Sequence, residues 1–216
     1  MKKSMVFLFA IMGSMVSVSA LAQKNNQKSS GGKCFDENTH LINLGIGFGN
    51  SYYAFNHNNG YESGRTPVFL LSYEQPLRNK VGPGYIGVGG LFAFQNAHER
   101  YNYDYWYNSG YVRYYDRHNW NTYVITGRAT YHWDGLIADK AEVYGGSLIG
   151  VRINSYSYST NNKDPYYPIN SRDEGSVYPV ITVFAGARYY FAPNVAVYSE
   201  IASGVSFLSA GLTFKF

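Results

Sequence analysis

The final stretch of the chain, residues 205–216, constrains the fold most because apolar side chains recur there at every second position. The apolar positions are Leu208, Ala210, Leu212, Phe214 and Phe216, and the positions between them are Ser209, Gly211, Thr213 and Lys215. A period of two indicates a β-strand with one apolar and one polar face. Such a strand at the open edge of a soluble sheet would promote aggregation, whereas in a closed barrel its apolar face meets lipid. The stretch therefore predicts one strand of a membrane-spanning β-barrel.

The beginning of the chain has the features of an export signal. Two lysines at positions 2 and 3 precede an apolar stretch from Met5 to Val18, and Ala-Leu-Ala follows at positions 20–22. These features predict a signal peptide over residues 1–22, with cleavage two residues earlier as the alternative. The apolar stretch is short for a membrane helix, which needs about 20 apolar residues.

A polar segment follows the signal peptide. Residues 23–38 are rich in Asn, Gln, Ser, Lys and Gly, which predicts a flexible periplasmic leader. Its Cys34 is the only cysteine, so no intramolecular disulfide is possible, and pairing with another chain is the alternative to an unmodified thiol. The formal net charge of +4 falls to +2 once the two signal-peptide lysines are subtracted, which gives no indication of nucleic-acid binding.

Alternating segments recur along the rest of the chain, with turn-like breaks between them. They cover residues 39–53, 65–75, 85–96, 120–132, 142–155, 177–190, 195–202 and the terminal strand. Eight strands predict an all-β fold, an eight-stranded antiparallel up-and-down transmembrane β-barrel over residues 39–216, with both ends in the periplasm. The connections 76–84, 134–141 and 192–194 are expected to be periplasmic. The longer connections 54–64, 97–119 and 156–176 are expected outside the cell, together with a very short turn at 203–204.

Three motifs near the end of the chain carry a family resemblance. Gly186–Phe191, Ala196–Glu200 and Gly204–Phe216 resemble the outer-membrane protein β-barrel family, the OmpA/OmpX-like small eight-stranded barrels. The resemblance implies this fold and an outer-membrane location, but members have diverse roles. It also implies that the terminal strand, with Leu212, Phe214 and Phe216, is read by the barrel-assembly machinery. The peptidoglycan-binding domain of some larger members is not expected, because nothing follows Phe216.

Charged side chains fall on the predicted inward face of the barrel. They are Glu74, Arg128, Glu142, Arg152, Arg188, Glu200 and Lys215. The interior of an eight-stranded barrel is just wide enough for side chains to fill it, and buried charges must be paired. We therefore predict a salt-bridged plug in the lumen. A path for protons or small solutes is the alternative.

The predicted external loops are unusually aromatic. One carries Tyr101, Tyr103, Tyr105, Trp106, Tyr107, Tyr111, Tyr114 and Tyr115, and the next carries Tyr156, Tyr158, Tyr166 and Tyr167. Their alternation predicts that strands continue above the membrane as a hairpin. Tyrosine-rich surfaces favour recognition of an extracellular ligand or host surface, and an aromatic belt with hairpin packing is the alternative. Arg100, Arg113 and Arg117 are candidate contacts to lipopolysaccharide.

The same loop contains the residue types of a catalytic triad: His98 and His118, Asp104 or Asp116, and Ser109. No G-x-S-x-G motif is present, and a triad is defined by geometry rather than by composition. The five histidines show no metal-ligand spacing, and no cofactor is expected. We therefore predict a non-enzymatic structural or surface-recognition protein in the outer membrane. A lipid-modifying enzyme and a narrow channel are the alternatives.

Overall fold

The computed structural model of the chain describes residues 34–49, 61–107, 110–133, 140–162 and 174–216. Nine strands form there: β1 Leu41–Phe48, β2 Tyr61–Arg65, β3 Val68–Val81, β4 Gly84–Tyr107, β5 Gly110–Trp133, β6 Ala141–Thr160, β7 Glu174–Ala192, β8 Val195–Ala202 and β9 Leu208–Lys215. The predicted signal peptide and residues 23–33 of the predicted leader lie outside the described residues. No helix in the described ranges is long and apolar enough to cross a bilayer.

Eight of the strands close into an antiparallel barrel. Strands β3 to β9 pair with their neighbours in chain order, and β1 closes the ring between β3 and β9. Leu44 of β1 lies opposite Leu71 of β3 on one side and Leu212 of β9 on the other. Because β9 also pairs with β8, the final strand has a partner on each edge. The predicted eight-stranded fold is confirmed.

Strand β2 lies outside the barrel ring. It pairs with the part of β4 from Ala97 to Tyr101, beyond the last residue of β4 that pairs with β3. The sequence places these residues mainly in a connecting loop, because Tyr-Glu-Ser-Gly-Arg has no apolar alternation. The strand forms because the extended β4 offers it a free edge.

One connection has the form expected and another differs. Strands β4 and β5 pair as far as Tyr107 opposite Gly110, so they continue past residues 96 and 120 as the hairpin that the tyrosine alternation predicts. At the other end, most of the expected connection 76–84 is strand, and the turn is limited to Gly82 and Pro83. The positive φ of Gly82 is a conformation that glycine adopts without steric cost. We call the end with this turn the short-turn end, and the opposite end the hairpin end.

The outside of the barrel is apolar between two aromatic girdles. Aliphatic side chains exposed on it include Leu44, Ile46, Leu71, Ile149, Ile181, Val183, Val197 and Leu212. On β5, Tyr123 and Trp133 bound this band. Their ten-residue separation is about 33 Å along a strand, or about 25 Å across the membrane at a tilt of about 40°. The dimensions match the apolar band of an outer-membrane barrel.

The inside of the barrel is filled in two layers. Towards the hairpin end, an apolar layer contains Val68, Leu70, Leu91, Ala93, Val124, Leu148, Val180, Phe184 and Val205. Towards the short-turn end, a polar layer contains Asn43, Glu74, Arg128, His132, Glu142, Arg188, Glu200 and Thr213. Inward glycines leave room for the larger side chains, since a Cβ at Gly45 would clash with the Tyr198 hydroxyl.

Candidate functional site

The strands β4 and β5 form an antiparallel hairpin that extends well beyond the barrel. We define the external hairpin as residues 97–107 and 110–120. From Tyr123, in the girdle, to Gly110 the strand runs for about 43 Å. The end of β6 joins it as a third strand, pairing up to Thr160 opposite Asp116. The predicted tyrosine-rich hairpin is therefore present, and the end of β6 extends it to a three-stranded sheet.

One face of this sheet continues the inward-facing side of the barrel strands and carries stacked tyrosines. Tyr101 and Tyr103, two positions apart on β4, stack with ring centroids 5.6 Å apart. Tyr103 also contacts Tyr114 across the hairpin at 5.7 Å, and its hydroxyl accepts a hydrogen bond from Asn162. Cross-strand aromatic pairs of this kind contribute about 0.2–1 kcal/mol each. These three rings therefore stiffen the hairpin, as the packing alternative requires.

A second aromatic group lies nearer the membrane on the same face. His118 stacks on Trp120 and on Tyr156, and its Nδ1 lies 2.7 Å from the Tyr156 hydroxyl. The Tyr158 hydroxyl donates a hydrogen bond of 2.8 Å to Asp116. Burial raises the pKa of Tyr158 to about 12, and the hydrogen bond to Asp116 acts in the same direction. These contacts tie β6 to β5 beyond the lipid.

The opposite face of the hairpin carries its three arginines and Asp104. Arg113 donates hydrogen bonds to both carboxylate oxygens of Asp104, at 2.8 and 3.2 Å. The guanidinium holds the pKa of the Asp104 carboxyl below its usual value, and the carboxylate raises the pKa of Arg113. Arg100 lies over the Tyr115 ring at 4.9 Å and is opposite Arg117 in the register. Two of the three candidate lipopolysaccharide contacts are thus neighbours on the lipid-facing side.

The tip of the hairpin exposes large aromatic side chains. Tyr105 is 58% exposed, Trp106 63% and Tyr111 74%. Trp106 and Tyr111 pack edge to face at 4.6 Å, which fixes their rings relative to each other. Tyr107 pairs with Gly110 through its backbone. Three of the eight predicted recognition residues therefore stand at the end farthest from the barrel.

The lumen brings together most of the predicted charged residues. Arg128 makes a two-point contact with Glu200, with Nη2 to Oε1 at 2.6 Å and Nη1 to Oε2 at 3.2 Å, and its Nε lies 3.4 Å from Glu74. The Tyr144 hydroxyl donates to the same Glu200 carboxylate at 2.9 Å. Side chains of β3, β5 and β6 thus meet β8 at one buried ionic centre.

A second part of the lumen network surrounds Glu142. Arg188 donates a hydrogen bond to Glu142, and its Nε donates to the Thr213 hydroxyl at 3.0 Å. Thr213 in turn donates to Asn43 at 2.7 Å, across the closing pair of strands. His132, which is not among the predicted lumen charges, links the two parts: its Nε2 lies 2.5 Å from Glu74 and its Nδ1 lies 3.6 Å from Glu142.

The other two predicted lumen charges contact aromatic rings. Arg152 contacts the Tyr178 ring at 4.9 Å, and Lys215 contacts the Tyr190 ring at 5.5 Å. Both side chains face inward by register. Arg152 is nearer the hairpin end, and Lys215 is nearer the short-turn end. The network therefore joins Glu74, Arg128, Glu142, Arg188 and Glu200 with His132.

The residue types considered for a triad are separated by the hairpin geometry. His98 and His118 lie on opposite faces, because His98 is opposite Asn119 and His118 is opposite Glu99. Asp104 is engaged by Arg113 and Asp116 by Tyr158. Ser109 lies outside the described residues, as do Tyr166 and Tyr167. Within the described ranges, no group of three His, Cys, Asp or Glu residues could hold a metal ion.

An eight-stranded barrel with an apolar outer band, two aromatic girdles and a filled interior defines a small outer-membrane β-barrel protein. The chain is similar in fold to the attachment invasion locus protein Ail of Yersinia pestis, with 15% identity, a TM-score of 0.42, and 84% of this chain and 100% of that chain covered. It is also similar to the N-terminal β-barrel domain of Pseudomonas aeruginosa OprF, with 12% identity, a TM-score of 0.41, and 84% and 100% covered. For neisserial surface protein A the values are 14%, 0.36, 84% and 98%. No protein-family model and no curated protein matches the chain.

Proposed function

We propose that the chain is a non-enzymatic surface protein of the bacterial outer membrane that recognises an extracellular ligand or host surface through its external hairpin. The observation that carries the proposal is the exposure of Tyr105, Trp106 and Tyr111 at the tip, which lies about 40 Å along the strand from the girdle. Aromatic side chains exposed together are typical anchors of binding surfaces, because they bury large areas at low entropic cost. The structural role of such a non-enzymatic protein would be stabilisation of the envelope by the barrel itself.

The orientation follows from the long and short connections. Outer-membrane barrels have short periplasmic turns and longer external loops, so the short-turn end faces the periplasm and the hairpin faces outward. Export requires the signal peptide at residues 1–22. Leu212, Phe214 and Phe216 lie on the apolar side of β9, which is the side available to the assembly machinery and to lipid. Arg100 and Arg117 stand above the lipid-facing side of their own strands, β4 and β5, where anionic lipopolysaccharide groups lie.

The lumen supports this function better than it supports conduction. Among the described residues, the apolar layer around Leu91, Val124 and Phe184 covers the polar layer on the hairpin side. The polar layer is itself crossed by the contacts of Arg128 and Arg188. A solute would have to displace both layers, so we assign recognition to the external surface.

The test replaces the tip aromatics in bacteria that display the chain. We expect Trp106→Ser together with Tyr111→Ser to reduce adherence to cultured epithelial monolayers at least about tenfold, since a central aromatic anchor contributes about 2 kcal/mol. Tyr189→Ser is the matched control, because Tyr189 is also exposed but lies near the short-turn end. Slower gel mobility after boiling verifies that each variant forms the barrel. Unchanged adherence of the double variant would contradict the proposal.

A further inference from the structure

The chain just before the first strand is seated in the short-turn mouth of the barrel. Phe35 is only 4% exposed, and its ring stacks on His132 with centroids 3.8 Å apart and planes 5° from parallel. The same ring meets Tyr85 edge to face at 6.4 Å, and Leu41 completes this small apolar cluster. The expected flexible leader covers residues 23–38, but from Cys34 onward the chain is packed against inward-facing side chains.

A compact turn holds this segment in position. The Thr39 hydroxyl donates to the Asp36 carboxylate at 2.8 Å and accepts from the Asp36 amide at 3.1 Å. The Thr39 amide donates to the Asp36 carbonyl, and the Asn38 amide donates to the Asp36 carboxylate. At the start of the segment, the Tyr190 hydroxyl donates to the Cys34 carbonyl at 3.1 Å. Residues 34–39 are therefore a folded plug and not an extension of the strand.

The plug covers the polar layer of the lumen. Its Phe35 ring lies directly on His132, whose ring nitrogens approach Glu74 and Glu142. On the far side, the apolar layer separates the same groups from the hairpin end. In the described part of the chain, the polar layer is thus enclosed by side chains from one end and by Phe35 from the other.

We propose that residues 34–39 form a removable plug that closes the periplasmic mouth, with Phe35 as its seal. The barrel strands are held by hydrogen-bond ladders on both edges, whereas residues 34–39 belong to no strand and are held by the Phe35 ring, the turn at Asp36 and side-chain contacts such as that of Tyr190. Segments outside the ladders of a fold can open locally without global unfolding. Opening exposes His132 and its carboxylate partners to periplasmic water and small solutes. Only the periplasmic assignment rests on the proposed function.

The experiment measures how fast a small charged thiol reagent reaches the polar layer. The purified mature chain in detergent carries Cys34→Ser and Thr130→Cys, because Thr130 is a buried inward residue between Arg128 and His132. We expect slow labelling in this background and labelling at least about tenfold faster after Phe35→Ala. Phe191→Ala is the matched control, since Phe191 is an exposed aromatic on the outside of β7, and it should leave the rate unchanged.

A second variant keeps the test valid if Phe35→Ala does not form the barrel. Asp36→Ala removes the turn but no lumen side chain, so it should also increase the labelling rate while the boiled and unboiled gel mobilities still differ. Fast labelling before any plug substitution would overturn the proposal, because the mouth would already be open. Equally slow labelling in all variants would overturn it as well, because another element would be the seal. Neither result depends on adherence, so the recognition proposal is tested separately.

Discussion

The contact between Arg128 and Glu200 gives the sharpest prediction about what holds this barrel together. Glu200→Ala removes the two-point partner of a guanidinium that has no exposed side-chain surface. It also removes the acceptor of the buried Tyr144 hydroxyl. Glu74 remains near the Arg128 Nε at 3.4 Å, so the charge keeps one partner. The variant therefore leaves a buried charge that is only partly compensated.

The expected loss of unfolding free energy follows from these contacts. Removing one partner of a buried ion pair costs about 3–5 kcal/mol, and the remaining Glu74 contact favours the lower end of that range. The Tyr144 hydroxyl loses a hydrogen bond, which adds about 1 kcal/mol. We expect a total of about 4 kcal/mol, or a change of about a thousandfold in the unfolding equilibrium constant.

Urea titration in detergent measures this loss, with the folded fraction read from the mobility of unboiled samples. Glu62→Ala is the control, since Glu62 is exposed on β2, and exposed charge pairs contribute about 0–1 kcal/mol. Adding Arg128→Met to Glu200→Ala removes the stranded charge, so the double variant should recover part of the loss. A loss below about 1 kcal/mol for Glu200→Ala would refute the view that this ion pair anchors the lumen.

Two further predictions concern a lumen glycine and an external phenol. A Cβ at Gly186 would lie 2.7 Å from the Tyr144 ring. Gly186→Ala should therefore cost about 1–3 kcal/mol by overpacking. The nearest atom to a Cβ at Gly127 would be 3.7 Å away. Gly127→Ala should therefore change stability by only about 0.5 kcal/mol or less, and urea titration compares the two variants. The raised pKa of Tyr158 stabilises the fold below the unfolded pKa of about 10, and this contribution is lost as pH rises through about 12. Asp116→Ala should lower the Tyr158 pKa in ultraviolet absorbance titration, and an unchanged titration curve would contradict the assigned hydrogen bond.

Which side chains face inward could be predicted from the sequence because strand geometry has a period of two residues. Glu142 and Arg188 stand between apolar neighbours and Glu200 is followed by Ile201, and the structure places all three charges in the lumen. Their partners could not be predicted, since pairing depends on the register of strands far apart in the chain. Arg128 and Glu200 are 72 residues apart, and several registers preserve the same alternation.

Three elements of the structure have no local signal in the sequence. Phe35 stands alone in a polar segment, so its burial depends on the position of the barrel mouth. Strand β2 has no alternation, and it forms on an edge created by the extension of β4. The apolar layer of the lumen cannot be recognised from alternation, because residues such as Leu70 and Val124 stand between apolar residues of the outer face. The continuous apolar runs that contain Leu70 and Val124 identify a strand that is apolar on both faces, but they do not show which face meets lipid.

The lumen network also bears on how the chain selects one register during assembly. A slip of one residue in β7 or β8 would turn Arg188 or Glu200 from the lumen towards lipid. A charged side chain on the lipid face costs about 2–4 kcal/mol for arginine at the midplane, falling to about 0–1 kcal/mol near the interfaces, and less for glutamate. Each slip would also leave a buried partner uncompensated, which is the larger cost for Arg188 near the short-turn end. The apolar layer opposes no such slip, because leucine and valine are compatible with both faces. We infer that the polar layer specifies register while the apolar layer supplies packing. Neutral replacement of the whole network should therefore slow the appearance of the heat-modifiable band during refolding more than it lowers the urea midpoint, and an unchanged refolding rate would contradict this division of roles.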